Sequence, residues 1–484
     1  SALNKYKEVV KNRPLDGAVH FYIGECYYMM NDYRGSLDEL ERAKSLDPNA
    51  TAELPLWLGK AYHARAMIDK ALDELNAYRK TIANNQKQII ESDVDVEISQ
   101  CNVAKQLMAK PIDVKIIPLI DINSQYDDKG PVLTDEDKTM IFTSRRPAGK
   151  KPVIDKEADF GYYDDIYQST WDEEKKTWSS ADLIRSINTD YYDACSSISA
   201  DGNTMFIYKN APGSRGDIYI SQKTTGGKWK TPERLPKPVN TSYYEDAACL
   251  SPDGKTLFFV SEVPGGLGRG DIYTSKKLGK DSWSEPVNIG APVNTPYDEN
   301  GLYLSADGKT LFFCSDNPNS MGSYDIFKTT LGADGKWTSP VNLGYPINSV
   351  QIESKFVFTA DHKTGYVSTV RDTGLGERDI YKVDLSNYDV MKGQSTVIPK
   401  STLSGKITGE DGKAISAEIR ILDKATTMQS ALTKSSADGT YSIELPSKQY
   451  ILEVNADGFQ KFSVEISISA GQPLSKDVIL KKNN

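Results

Sequence analysis

Residues 249–261 read CLSPDGKTLFFVS, residues 271–276 DIYTSK and residues 283–290 WSEPVNIG. In the first stretch two apolar runs flank Asp253-Gly254, a pair that supplies the positive φ of a tight turn, so the reading is two short antiparallel strands. DIYTSK and WSEPVNIG add a third and a fourth strand, and a unit of about 50 residues is complete.

That unit occurs five times. Asp-Ile-aromatic recurs at Asp165, Asp217, Asp271, Asp325 and Asp379, at spacings of 52, 54, 54 and 54. Asn123, Asn188, Asn240, Asn294 and Asn348, each followed by Ser or Thr, keep the same register. So do Asp201-Gly202, Asp253-Gly254 and Asp307-Gly308, which become Glu136-Asp137 and Asp361-His362 in the outer copies. Trp178, Trp229, Trp283 and Trp337 mark the fourth strand, but no tryptophan follows Tyr381. Residues 114–119, VKIIPL, stand before Asn123 where WSEPVNIG stands before Asn294, so this orphan strand is expected to complete the last copy and remove its bare edge. Four-stranded repeats closed in this way describe a five-bladed β-propeller over residues 111–385.

Five residues past each repeat asparagine stands an acid: Asp128, Asp193, Glu245, Glu299 and Glu353. As a ring at one mouth of an axial channel they would receive a basic peptide or a cation. As structural carboxylates they would accept backbone N–H groups at each crossover, and their presence in every copy favours this second reading. Asymmetry, which a binding site needs, lies instead in the loops before each Asp-Ile strand: FGYYD, GSRGD, LGRGD, GSYD and GERD.

Residues 1–110 are helical. Over residues 17–48, GAVHFYIGECYYMMNDYRGSLDELERAKSLDP, apolar residues keep helical spacing on either side of Asn31-Asp32, which makes a helical hairpin. A second copy follows at an offset of 35, with Leu58-Gly59, Tyr62, Ala71 and Leu75 matching Ile23-Gly24, Tyr27, Ser36 and Leu40. Residues 93–108 form one more helix in this reading. The period, the small Gly24 and Gly59, Ala43 and the closing Pro48 resemble the tetratricopeptide repeat. Ala2, Tyr6 and Pro14 fit the same frame as part of an earlier repeat, so further residues, a signal peptide among them, are expected upstream of Ser1. The resemblance implies a concave groove for a peptide, lined by Phe21, Glu25, Tyr28, Leu56, Lys60 and His63.

Composition narrows the function. Over 484 residues, 58 Lys and Arg against 67 Asp and Glu leave a net charge of -9, which disfavours nucleic acid as a partner. Residues 111–400 hold 33 basic and 41 acidic residues, so the acidity belongs to the β repeats. No stretch approaches the roughly 18 apolar residues of a spanning helix. Cys26, Cys101, Cys195, Cys249 and Cys314 are scattered, without a Cys-x-x-Cys pair, and read as buried thiols. With His20, His63 and His362 the only histidines, the sequence offers no catalytic residue set, no metal site and no cofactor site.

Residues 386–400 read as a linker and residues 401–484 as a separate β-sandwich, with alternating strands in EIRILD, TYSIELP, YILEVNA and FSVEISIS and about seven strands in all. LSGKITGEDGKAISAEIRILD and SSADGTYSIELPSKQYILEVNADGF resemble the carboxypeptidase regulatory-like family, usually a non-catalytic module. The order of parts, helical repeats, LSPDGKTLFF-type propeller and regulatory-like sandwich, resembles the multidomain OmpA-family proteins of Bacteroidetes type IX secretion. That resemblance implies a non-enzymatic, periplasmic, outer-membrane-associated lipoprotein that binds other secretion proteins or a peptide segment. It also implies a lipid-bearing cysteine and a peptidoglycan-gripping C-terminal domain, to neither of which any residue of 1–484 is assigned. The competing expectation is a propeller that binds a glycan or peptide, or hydrolyses one, in its axial channel.

Overall fold

The computed structural model describes residues 2–83, 88–149, 152–156, 160–210, 214–392, 400–424, 429–446, 448–468 and 473–483. The chain divides into two compact units: Ser1–Ala109 with Pro318–Gly322 and Val397–Asn484, and Lys110–Asn317 with Ser323–Thr396.

The first unit contains six helices, α1 (Ala2–Asn12), α2 (Gly17–Met29), α3 (Tyr33–Leu46), α4 (Leu54–Ala64), α5 (Ile68–Ala83) and α6 (Gln88–Met108). Asp16 starts α2 by accepting the N–H groups of Ala18 and Val19 at 3.1 and 3.3 Å, and Asp32 starts α3 by accepting that of Gly35 at 2.9 Å. The pairs α2/α3 and α4/α5 cross at the glycines. A Cβ on Gly24 would lie 2.6 Å from Leu40 Cγ, and one on Gly59 2.5 Å from Leu75 Cγ, so only glycine permits the approach. The last helix begins at Gln88 rather than Asp93.

The sandwich of this unit has two sheets. One pairs Lys400–Gly409 with Thr440–Pro446 and, in parallel, with Leu474–Ser475 and Val478–Leu480. The other runs in the order Gln429–Lys434, Glu418–Asp423, Lys448–Asn455, Phe462–Ile468. Among the described residues this makes eight strands, where about seven were expected, with Leu403, Ile407, Ile419, Ile421, Tyr450, Leu452 and Val478 in one core.

The second unit is built from five antiparallel sheets, four strands along each main path. Their first strands are Asp128–Thr134, Tyr192–Ile198, Glu245–Leu250, Glu299–Leu304 and Glu353–Phe358, and their third strands open at Asp165, Asp217, Asp271, Asp325 and Asp379. Gly202, Gly254 and Gly308 take φ of +71°, +71° and +67° at the turns between first and second strands. Asp137 and His362 adopt the same left-handed φ, +65° and +58°, without glycine's freedom.

The tryptophan strand is broken. Trp283 makes a single bridge to Lys277, and pairing resumes at Val287–Asn288, past Pro286, which has no N–H to donate; the first repeat breaks in the same place, between Trp178 and Asp182, without a proline. In the fifth sheet the fourth place is taken by Lys115–Pro118, paired antiparallel with Tyr381–Asp384. Each first strand lies beside the next, and that of the fifth sheet lies beside that of the first.

The repeat asparagines tie these sheets in sequence. Asn294 Nδ2 donates to Ile272 O at 2.9 Å, and its Oδ1 accepts the Ile272 N–H at 2.9 Å. Asn188, Asn240 and Asn348 hold Ile166, Ile218 and Ile326 in the same way. Asn123 does this to Ile380, 257 residues away. Residues 386–392, expected in the linker, pack instead: Val390 is buried beside Leu385 and Val383, and Lys328 donates to the carbonyls of Val390 and Met391. Residues 393–399 lie outside the described residues. Among the described residues no helix is long and apolar enough to cross a membrane.

Candidate functional site

The six residues expected along the helical groove do not share one exposure. Phe21 is in the core, with its ring edge-on to Tyr22 at 5.2 Å. Tyr28 packs edge-on to Tyr33 and Trp57 at 5.2 and 5.4 Å, and burial pushes its hydroxyl well up. Phe21 therefore belongs to the packing of the helices, whereas Tyr28 is half-exposed with its ring against Tyr33 and Trp57. Glu25, Leu56 and Lys60 remain half-exposed. The Lys60 ammonium sits 5.5 Å over the Trp57 ring, and burial together with Glu53 raises the Glu25 carboxyl above its usual range. Trp57, which the repeat frame did not single out, is the residue around which this face is organised.

His63 is buried, and both its nitrogens face oxygen acceptors: Nδ1 reaches Glu97 Oε1 at 2.7 Å and Nε2 reaches Met321 O at 2.9 Å. Two acceptors require two donors, so the ring is an imidazolium. Burial alone would lower its pKa, but Cys101 and the Glu97 carboxylate raise it well above the ordinary histidine value. Ser99 Oγ donates to Pro318 O at 2.9 Å, and Met321 is itself fully buried. The helices therefore already hold a short stretch of polypeptide, Pro318–Gly322, through its main-chain carbonyls.

All five repeat acids are buried and hydrogen-bonded, so the structure does not present them as an open ring at a mouth. In each copy the Ser or Thr after the repeat asparagine donates both its N–H and its hydroxyl to the acid, as Thr295 does to Glu299 at 2.9 and 2.6 Å. In each glutamate the N–H falls on Oε2 and the hydroxyl on Oε1, and Oε1 takes a further hydroxyl, from Ser261, Ser315 or Thr369. The shorter aspartates reach a cation, Asp128 the Arg146 guanidinium at 2.6 Å and Asp193 the Lys209 ammonium, and Glu353 adds Arg371 at 3.4 Å to its hydroxyl donors. Burial outweighs these donors at Glu299, whose carboxyl is pushed up to about 8.

Between the first strands, Lys355 is 5% exposed and donates across to Ser196 O. Its electrostatic neighbours are Cys195, Cys249, Asp246 and Cys314. Burial raises Cys195 and Cys249 to about 12, which keeps these thiols protonated. Of the five cysteines Cys26 is only half-buried, contrary to expectation. Among the described residues no group of three or more His, Cys, Asp or Glu is placed to hold a metal ion.

Residues 402–481 match the carboxypeptidase regulatory-like domain. No curated protein matches the chain. Among solved structures, TolB from Acinetobacter baumannii is similar at 17% identity and a TM-score of 0.31, with 54% of each chain covered. The chain thus spans about half the length of that protein. The periplasmic gluconolactonase PpgL of Pseudomonas aeruginosa is similar at 13% identity over 52% of this chain and 84% of its own, with a TM-score of 0.30. An endo-arabinase from Bacteroides thetaiotaomicron is similar at 13% identity over 55% and 96%, with a TM-score of 0.35.

Proposed function

We propose that this chain is a non-enzymatic scaffold of the bacterial envelope, a PorE-like component of type IX secretion, periplasmic and associated with the outer membrane. In this reading the helices are a tetratricopeptide solenoid, supported by the glycine crossings one repeat apart. The five sheets are the blades of a closed propeller, supported by the asparagine ties that run from sheet to sheet and back to the first. Its work is to hold partner proteins or a peptide segment. One observation carries this: His63 and Ser99 grip main-chain carbonyls of Pro318–Gly322, the way a surface receives an extended segment whatever its side chains. The same face continues outward through Leu56, Lys60 and Trp57.

Site-specific photo-crosslinking in living cells tests it. A crosslinking residue at Leu56 or Lys60 should give a discrete adduct with another envelope protein in the outer-membrane fraction. Adducts formed only from the sheet unit, or a chain recovered away from the envelope, would overturn the reading.

A further inference from the structure

The first β repeat departs from the other four in the loop that enters its third strand. Twenty residues separate Ser144 from Asp165, against six in the second repeat and nine in each of the rest. Tyr162 and Tyr163 from this loop, with Tyr191 and Leu183, line a depression of about 550 Å³. The Tyr163 ring meets those of Tyr191 and Tyr192 edge-on at 6.0 and 4.8 Å, which fixes the aromatic wall.

Asp165 lines the same depression and is 9% exposed. Each of its counterparts accepts at least one donor, although the second oxygen of Asp379 takes none. Asp217 accepts from the Ser214 hydroxyl and Arg234; Asp271 accepts from the N–H groups of Leu267 and Gly268 and from Asn288. Asp325 accepts from Asn342, and Asp379 from the N–H groups of Leu375 and Gly376. In the fourth-strand register, Leu183 stands opposite Tyr167 where Arg234, Asn288 and Asn342 stand opposite Tyr219, Tyr273 and Phe327. An apolar side chain has replaced the donor, and among the described residues nothing hydrogen-bonds to the Asp165 carboxylate. A buried carboxylate without a donor is costly to keep unless something else supplies one.

We propose that this depression binds the cationic side chain, lysine or arginine, of a partner polypeptide, with Asp165 taking the charge and Tyr162, Tyr163 and Tyr191 enclosing the stem. Tyrosine faces attract such cations and cover their methylenes. The surrounding field has the right sign. Asp190, in the lining, carries that sign, whereas Asp164 and Asp193 stand close behind and are offset by Lys129 and Lys209. Arg185 is the cation among the described lining residues, and it is exposed. Burial, then Asp193, Asp164 and Asp190, push the Asp165 carboxyl up to about 7, with Lys209 opposing. Cation binding therefore strengthens as pH rises through neutrality. This site is independent of the helical face and stands or falls without it.

The test is calorimetric titration of the whole chain with Nα-acetyl-lysine amide and Nα-acetyl-arginine amide, using Nα-acetyl-norleucine amide and methyl glucoside as neutral probes. Saturable binding near ~1 mM is expected for at least one cation, close to tenfold tighter at pH 8 than at pH 6, as the ionised fraction of Asp165 changes. Asp165→Asn should weaken it about tenfold or more at pH 8 and abolish the pH dependence. Leu183→Asn restores the donor of the third and fourth repeats and should block the site while the chain stays folded, so the test survives if Asp165→Asn fails to fold. Equal binding of the norleucine probe, binding of the sugar alone, cation binding indifferent to both substitutions, or no saturable binding would each overturn the proposal.

Discussion

At the scale of the residue, the acid five places after each repeat asparagine is tied by the same Ser or Thr in every copy, and the work there is mechanical. Glu299 accepts two donors from Thr295 and one from Ser315, yet burial lifts its carboxyl to about 8 against an ordinary value of 4.5. A carboxyl raised on folding contributes stability that is full below about 4.5 and is lost as pH rises through about 8. The melting temperature of Glu299→Gln should therefore fall less between pH 5 and pH 8.5 than that of the parent, a difference read directly by calorimetry at the two pH values. Parallel curves would mean that Glu299 is ionised throughout. Gly254 gives a cleaner backbone measurement. Its φ is +71° and a Cβ there would touch nothing within 4 Å, so Gly254→Ala should cost about 1 kcal/mol in urea denaturation through conformation alone. The position of each acid was legible from spacing, and so was the reason to favour a structural carboxylate. The donors were not: whether Ser, Arg or Lys completes an acid depends on the length of the acid and on strands that meet only in the fold.

At the scale of the element, the crossings and the asparagine ties set the strength of the packing. Gly59→Ala gains helix propensity of about 1 kcal/mol but places a methyl 2.5 Å from Leu75 Cγ in a fully buried contact. A net loss of about 1–2 kcal/mol should appear in thermal melting of the helical signal. Asn294→Ala leaves the N–H of Ile272 buried without its partner, while the C=O keeps the N–H of Ile289, and should cost about 1–3 kcal/mol by urea denaturation. Glycine positions, turn pairs and strand alternation were readable because each is a local requirement of backbone geometry. The break in the fourth strand is not legible in the sequence, because it falls at Pro286 in one copy and across Ser179–Ala181 in another, so no single residue type marks it. The seat of Pro318–Gly322 beside His63 was invisible: a contact across 258 residues leaves no period in the sequence.

At the scale of the whole molecule, the fifth sheet draws its last strand from the far end of the unit. Two shortened chains isolate that strand, one beginning at Pro111 and one at Asn123. The second should melt at lower temperature and with a broader transition, since Tyr381–Asp384 then presents a bare edge. Superimposable melts would show that Lys115–Pro118 is dispensable for the fifth sheet. The repeat count and the missing tryptophan foretold this pairing, whereas the depression at Asp165 emerged only when the five copies could be laid side by side and one was found lacking a donor. The closing strand also dictates a timetable. When the chain emerges from its amino end, Lys115–Pro118 has no partner until some 260 residues later, and the Asn123 tie to Ile380 must wait as long. Four sheets can form in order from neighbours, but the fifth is a contact of the longest range and forms last. Until it does, an unpaired strand and an unfinished edge coexist in one chain and invite pairing with another copy, so the moment of greatest aggregation hazard falls just before completion.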